Sequence, residues 1–281
     1  MSLNHKIGLG SVQFGIPYGV SNNQGKTTSE EVTKILNYAH TSGITFIDTA
    51  SAYGNAEEVL GFNDLNNFKI ISKFMPQEGN YSTRLQLQTS LDKLKIDSLY
   101  GYLAHRPLSL VDNQKQWEEL LVLKQEHKVK KIGFSLNEPK ELDVLLNNGM
   151  MPDLIQVPYN YFDNRFKDIL IDLKSKGCEI HTRSAFLQGL FFSDIQKLPS
   201  FFDEVKKSIT ALQINLSDNL SGALLKYVLS LDFVDVVIMG VENEKQLKSN
   251  LININTAHHL PPNDFNYSES ILMPSNWPKI V

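Results

Sequence analysis

A single cysteine, Cys178, stands in 281 residues, so the chain can form neither an internal disulfide framework nor a cysteine metal cluster. Its setting, SKGCEI, between a helix-like and a strand-like stretch, reads as a buried small apolar filler rather than a nucleophile. Charge of one sign is not in excess: 27 Lys plus Arg face 31 Asp plus Glu, for a formal charge of -4. That balance gives no electrostatic reason to expect nucleic acid or an anionic membrane as partner. The basic stretch KVKKIG (128 to 133) is short and reads as a solvated helix end running into a strand. No apolar run approaches the ~20 residues that span a bilayer, and no basic segment followed by an apolar one opens the chain. The expectation is a cytoplasmic protein without a membrane partner. His258 and His259 are adjacent rather than spaced for one metal face, and no HExxH pattern occurs, so no metal site is expected.

What is present is repetition of one unit. Short apolar runs alternate with longer amphipathic ones, without a linker or composition break. KIGLG (6 to 10), ITFID (44 to 48), FKIIS (68 to 72), SLYGYLAH (98 to 105), KKIGFS (130 to 135), LIQVP (154 to 158), CEIHT (178 to 182) and VDVVIMG (234 to 240) read as eight strands. Helical periodicity follows each. After the first strand comes a Gly-rich loop, SVQFGIPYGVSNNQGKTT. Thr28 is then a candidate N-cap with Glu31 as capping-box partner, Val32, Ile35, Leu36 and Ala39 form the buried stripe, and Gly43 stops the helix. Strands as uniformly apolar as ITFI and DVVIM suit a parallel sheet covered on both faces. Eight β/α units predict an α/β chain folded as a (β/α)8 TIM barrel, a single domain over 1–281 with the barrel at about 6–255 and a tail at 256–281. The rival, an open doubly wound sheet, usually shows GxGxxG after its first strand; GLGSVQFG lacks that spacing. The tail, with Pro261 and Pro262, shows no helical pattern.

In such a barrel, chemistry gathers where strands deliver their C-terminal residues. The second strand ends in Asp48, with Tyr53 five residues on; the third ends in Ser72 and Lys73; the fourth ends in His105. Singly, each has an ordinary reading: a cap, a surface phenol, a solvated ammonium, a loop imidazole. Together they form a proton-transfer device. A phenol is a poor acid at neutral pH, but a neighbouring cation stabilises its anion. Lys73 would be that cation with Asp48 holding it, and His105 would orient a carbonyl beside the Tyr53 hydroxyl.

DTASAYGNAEEVLG, ISKF, YLAHRP, KKIGFS, QVPYN and GVENEKQLKSNL, in that order from about residue 6 to 255, resemble the aldo-keto reductases. The resemblance implies a (β/α)8 barrel, commonly monomeric, that binds a nicotinamide cofactor without a Rossmann fold. It implies Asp48, Tyr53, Lys73 and His105 as the catalytic tetrad, with Tyr53 as general acid in the reducing direction. For the cofactor it implies Ser11 in the first loop, and Ser135 and Gln156 on the nicotinamide carboxamide. Arg183, Ser184, Phe186, Gln188 and Gly189 would run along the pyrophosphate, and Gly240, Gln246 and Asn250 would lie at the adenosine half. NADPH is the family expectation, with NADH as competitor because Glu242 and Glu244 would oppose a 2′-phosphate and Gln246 stands where arginine is frequent. The substrate is expected to be a small carbonyl compound, polar or sugar-like, met by Tyr18 and Arg106. Two other readings remain: a non-catalytic cofactor-binding regulatory relative, and a barrel isomerase or aldolase using Lys73 as a Schiff-base amine.

Overall fold

A computed structural model of the chain describes residues 3–20, 22 and 24–278. The last three residues of the expected tail lie outside the described residues. The eight expected strands are all present: β1 Ile7–Gly10, β2 Phe46–Asp48, β3 Lys69–Phe74, β4 Leu99–Ala104, β5 Val129–Ser135, β6 Leu154–Pro158, β7 Glu179–Arg183 and β8 Val236–Gly240. They close in sequence order into a parallel barrel, with β8 pairing back onto β1. Helices between the strands cover the outside, among them Ser29–Thr41, Thr83–Leu94, Gln114–Gln125 and Glu244–Thr256. Among the described residues no helix is long and apolar enough to cross a membrane.

The barrel is filled, not hollow. Phe46, Ile71, Leu103, Leu154, Val236 and Ile238 pack as one interior cluster, as inward-facing side chains of a closed parallel sheet must. Towards the N-terminal end, Glu179 accepts hydrogen bonds from Tyr100 Oη at 2.7 Å and Lys131 Nζ at 2.6 Å, with His181 Nε2 at 2.7 Å. Burial opposes ionisation of Glu179, but the His181, Lys131 and Tyr100 contacts outweigh it and hold the carboxyl at about 2. Outside the barrel, the second large core joins Tyr161, Phe162, Phe191 and Phe202 to Ile271 and Leu272 of the tail.

Local expectations hold in part. Thr28 Oγ1 accepts from the Glu31 N–H, as an N-cap does, and Gly43 stops the helix at φ +82°. Glu31 does not close the capping box. Its carboxylate takes the backbone N–H of Glu244 at 2.8 Å and Lys34 at 3.1 Å, tying the first helix to the last. The first loop is not wholly irregular, since Val12–Gly15 form a helical turn that buries Phe14. The tail also corrects the expectation: Glu269–Leu272 is helical and Pro274–Asn276 a 3-10 turn. One turn is too short to show a period in sequence; Ile271 and Leu272 hold it by burial against the second core. Cys178 is buried, and burial pushes its thiol up to about 12, as expected of a filler.

Candidate active site

The strand ends deliver four side chains to one place. Lys73, fully buried, donates to both carboxylate oxygens of Asp48 at 2.6 and 2.7 Å, to the Thr49 carbonyl at 3.1 Å and to Tyr53 Oη at 3.5 Å. Strand β3 runs on to Phe74, so Lys73 sits inside the strand rather than past its end. Its register against β4 puts it opposite Leu103, one turn of pleat below His105. Such a pair is viable in a dry interior because every charge meets several partners. The Tyr53 ring meets the His105 imidazole edge-on, centroids 5.7 Å apart. Burial, then the positive charges of Lys73, Arg183 and Arg106, hold His105 down at about 3, so the imidazole is neutral at ordinary pH. Its Nδ1 is buried with no partner among the described residues.

Tyr53 owes its place to two glycines. Gly54 adopts φ +58°, and a Cβ on Gly15 would fall 1.7 Å from the Tyr53 carbonyl oxygen. Only glycine at 15 lets the first loop pass this close. A second tie comes from Glu57, one helical turn beyond Tyr53. Its buried carboxylate accepts from Ser72 Oγ at 2.6 Å. The segment carrying the phenol is thereby fastened to the residue next to Lys73. Sequence reading had no hold on this link, since the NAEE stretch looks like an ordinary acidic helix start.

Asp48, Tyr53 and His105 open onto a cavity of about 840 Å³. Ser11, Tyr18, Arg106, Ser135, Arg183, Ser184, Phe186, Gln188, Gly189, Gly240, Gln246 and Asn250 all line it. Gln156 is the exception. It is wholly buried behind the wall, and its Nε2 donates to Asp48 Oδ1 at 2.7 Å, leaving Oε1 without a partner. Asp48 captures the amide because β6 presents Gln156 inward at the level of the carboxylate. Further wall residues went unforeseen, among them Gln13, Asn137 and Asp218. Asn137 receives Arg183 Nη2 at 2.6 Å, and the Leu136 carbonyl takes the same nitrogen at 3.0 Å.

The loop after β7 is backbone-strained where it lines the cavity. Ser184 (φ +64°), Leu187 (φ +46°) and Gln188 (φ +52°) are left-handed non-glycine residues, each at a cost of ~1 kcal/mol or more. Gln188 Nε2 donates to Tyr18 Oη at 2.8 Å, and the Gln188 carbonyl accepts from the Val20 N–H at 3.0 Å. Because β8 lies between β7 and β1 in the closed sheet, this bridge crosses the end of β8. The far end of the cavity is built from the segment after β8 and from residues 217–221, joined by Asn253 Nδ2 donating to the Asp218 carbonyl at 2.8 Å. Its charged wall groups are Glu242 and Asp218; among the described residues no lysine or arginine lines it. Lys248 is occupied by Glu244 at 2.8 Å.

The wall fits an elongated ligand with amide and hydroxyl groups. Ser11 Oγ and Gln13 Oε1 are buried without partners. Gly10 pairs with Gly240, and a Cβ at 240 would come within 2.9 Å of Gln13 Oε1, so the wall between the two ends stays clear of side chains. Among the described residues no group of three His, Cys, Asp or Glu comes together to hold a metal ion.

Comparison with known proteins agrees with this architecture. The model described as "Aldo/keto reductase family" matches residues 6–272. An aldo-keto reductase of Mycobacterium sp. (strain KMS) is 27% identical over 143 residues, 47% of this chain and 51% of that protein. The methylglyoxal reductase DkgA of Salmonella typhimurium is 30% identical over 138 residues, covering 47% and 50%. The glyoxal reductase of Bacillus subtilis is 27% identical over 186 residues, covering 64% and 66%. The chain thus spans about half the length of the first of these relatives. Among solved structures, an aldo-keto reductase from Bacillus halodurans in its holo form superposes with a TM-score of 0.71 at 20% identity, over 91% of this chain and 88% of that one. One from Klebsiella pneumoniae in complex with NADPH gives 0.67 at 21% identity, over 91% and 87%.

Proposed function

The chain belongs to the aldo/keto reductase family, and from that premise we propose that it is an NAD(P)H-dependent oxidoreductase that reduces the carbonyl of a small polar molecule to an alcohol. The observation that carries this reading is the Lys73 ammonium, which touches both the Asp48 carboxylate and the Tyr53 hydroxyl at the cavity wall. As the Tyr53 proton leaves for the carbonyl oxygen, the charge left on the phenol oxygen develops beside this ammonium, which needs no rearrangement to stabilise it. Asp48 holds and aims Lys73 through both carboxylate oxygens, and Gln156 in turn fixes the carboxylate. Neutral His105 orients the carbonyl as a hydrogen-bond partner without competing as an acid.

The nicotinamide cofactor, when bound, supplies hydride to the carbonyl carbon. Ser11, Gln13 and Ser135 are suited to hold its amide end. The strained loop from Ser184 to Gly189 is suited to grip its middle, and Gln246 and Asn250 its far end. NADPH is the cofactor that the family points to, with NADH able to compete because, among the described residues, the far wall carries no basic group. The glyoxal and methylglyoxal reductases among the relatives favour a short aldehyde or ketone. A Schiff-base role for Lys73 is disfavoured: an amine held by two carboxylate oxygens and a carbonyl, with no exposed surface, is not a free nucleophile.

Replacing Tyr53 by phenylalanine tests the proposal. It is expected to abolish cofactor-dependent carbonyl reduction while calorimetric affinity for NADPH stays within about twofold. A Tyr53→Phe protein that still reduces aldehydes at the wild-type rate would overturn it.

A further inference from the structure

The chain has only four arginines, and they divide by location. Arg84 is held by Glu126 at 2.7 and 2.9 Å, and Arg165 by Asp163 at 2.9 and 3.0 Å. Both lie away from the cavity. The other two, Arg106 and Arg183, line it, and among the described residues neither meets a carboxylate. Arg183 is bound by neutral groups only, the Leu136 carbonyl, the Asn137 amide oxygen and Ser184 Oγ. The Arg106 guanidinium has no hydrogen-bond or ion-pair partner among the described residues, although it immediately follows His105. The one acid at this end, Asp48, is taken up by Lys73. With His105 neutral, two positive charges at the reacting end go unbalanced by the protein.

We propose that the substrate carries an anionic group, a carboxylate or a phosphate, a few bonds from its carbonyl, and that Arg106 is the residue that binds it. This inference rests on the reductase reading above. A guanidinium presents paired N–H donors that match two oxygens of either anion. Arg183 is anchored by the turn after β5 and points its charge at the same region, so it adds to the field without being free to move. Adjacency of Arg106 to His105 sets the size: the carbonyl on the imidazole and the anion on the guanidinium must belong to one short molecule. A neutral aldehyde of equal length would leave the guanidinium with water alone.

Matched pairs separate the charge from everything else. The phosphate arm compares D-glyceraldehyde with D-glyceraldehyde 3-phosphate, and the carboxylate arm compares butyraldehyde with succinic semialdehyde, each with wild-type protein and either cofactor. In at least one arm the anionic member is expected to have a KM roughly tenfold or more below its neutral partner, a difference of about 1.4 kcal/mol. That advantage should shrink as salt rises from 50 to 500 mM. In Arg106→Gln the ratio within the pair should fall towards one, and Arg106→Lys should keep part of it. Calorimetry with the product alcohols and oxidised cofactor, glycerol 3-phosphate against glycerol and 4-hydroxybutyrate against 1-butanol, reads the same preference without turnover. Absence of turnover in every pair, with that binding preference intact, would sink the reductase reading and leave the anion site standing. Equal binding of charged and neutral members in both arms would overturn the anion site. So would loss of cofactor affinity in Arg106→Gln without change in the ratio, because Arg106 would then belong to the cofactor.

Discussion

The two ends of the cavity are built differently. At the barrel mouth, the candidate catalytic groups stand on or next to strands, Asp48 and Lys73 buried and Tyr53 and His105 half-buried, and short bonds hold the cluster: Lys73 to Asp48, Gln156 to Asp48, Glu57 to Ser72. At the far end the wall comes from loops and one helix start, its charges are acidic, and Glu242 meets no cation among the described residues. Between them runs a loop whose backbone is strained at Ser184, Leu187 and Gln188. Proton transfer demands fixed distances, which packed strands supply. Gripping a long flexible ligand demands many moderate contacts, which loops supply.

Changes at the two ends should therefore fail in different currencies, and the sharpest contrast lies at the mouth. Tyr53→Phe is expected to lower turnover by about 10²–10⁴-fold, the range for a lost general acid, with cofactor affinity kept. Lys73→Ala should do this and destabilise the fold as well, by about 3–5 kcal/mol, because Asp48 is left buried and unpaired. Chemical denaturation would show the second effect. Glu57→Ala and Ser72→Ala should each lower kcat by about tenfold with little change in cofactor binding, and Glu57→Gln, which keeps an acceptor for Ser72 Oγ, should restore most of it. If both variants lose only thermal stability, the Glu57 link is a packing feature and the mouth is less finely held than described.

The far end should respond in affinity and hardly at all in kcat. Glu242→Lys replaces an acid by a base on the wall and is expected to improve the Kd ratio of NADPH over NADH by about tenfold, read by calorimetry. No change in the ratio would place the 2′-hydroxyl away from Glu242. The smallest effect expected concerns pH. His105 is held at about 3, so kcat/KM should show no break from it between pH 5 and 8. The same shift has a stability sign. Between about pH 6.5 and 3 the unfolded chain protonates this histidine and the folded one does not, so stability falls on acidification through that window, and His105→Gln should flatten the slope.

How far the sequence could be read depended on range. Thr28, Gly43 and the apolar stripe between them act within one helix, and their roles follow from spacing. Asp48, Tyr53, Lys73 and His105 were legible because strand ends carry polar residues that a covered parallel sheet otherwise excludes. Gln156, which the resemblance puts on the nicotinamide carboxamide, also donates to Asp48 from behind the wall. Nothing in either segment announces a bond across 108 positions. Glu31 and the tail helix missed for the same reason: one found a partner at Glu244 and the other a core made of residues 161–202.

The sequence by itself determined the eight β/α units, the four polar side chains that gather at the strand ends and the absence of any strong electrostatic pull on the whole molecule. These are properties of period, residue type and total charge, and none needs to know what lies next to what. Only the tertiary structure decided which charges are balanced. Closing the barrel spent Asp48 on Lys73 and Glu179 on Lys131 and His181, while among the described residues it left Arg106 and Glu242 without opposite charges at the two ends of one cavity. Coulombic balance depends on distances across the fold, and a chain with net charge -4 can still present an excess of either sign wherever its side chains happen to converge.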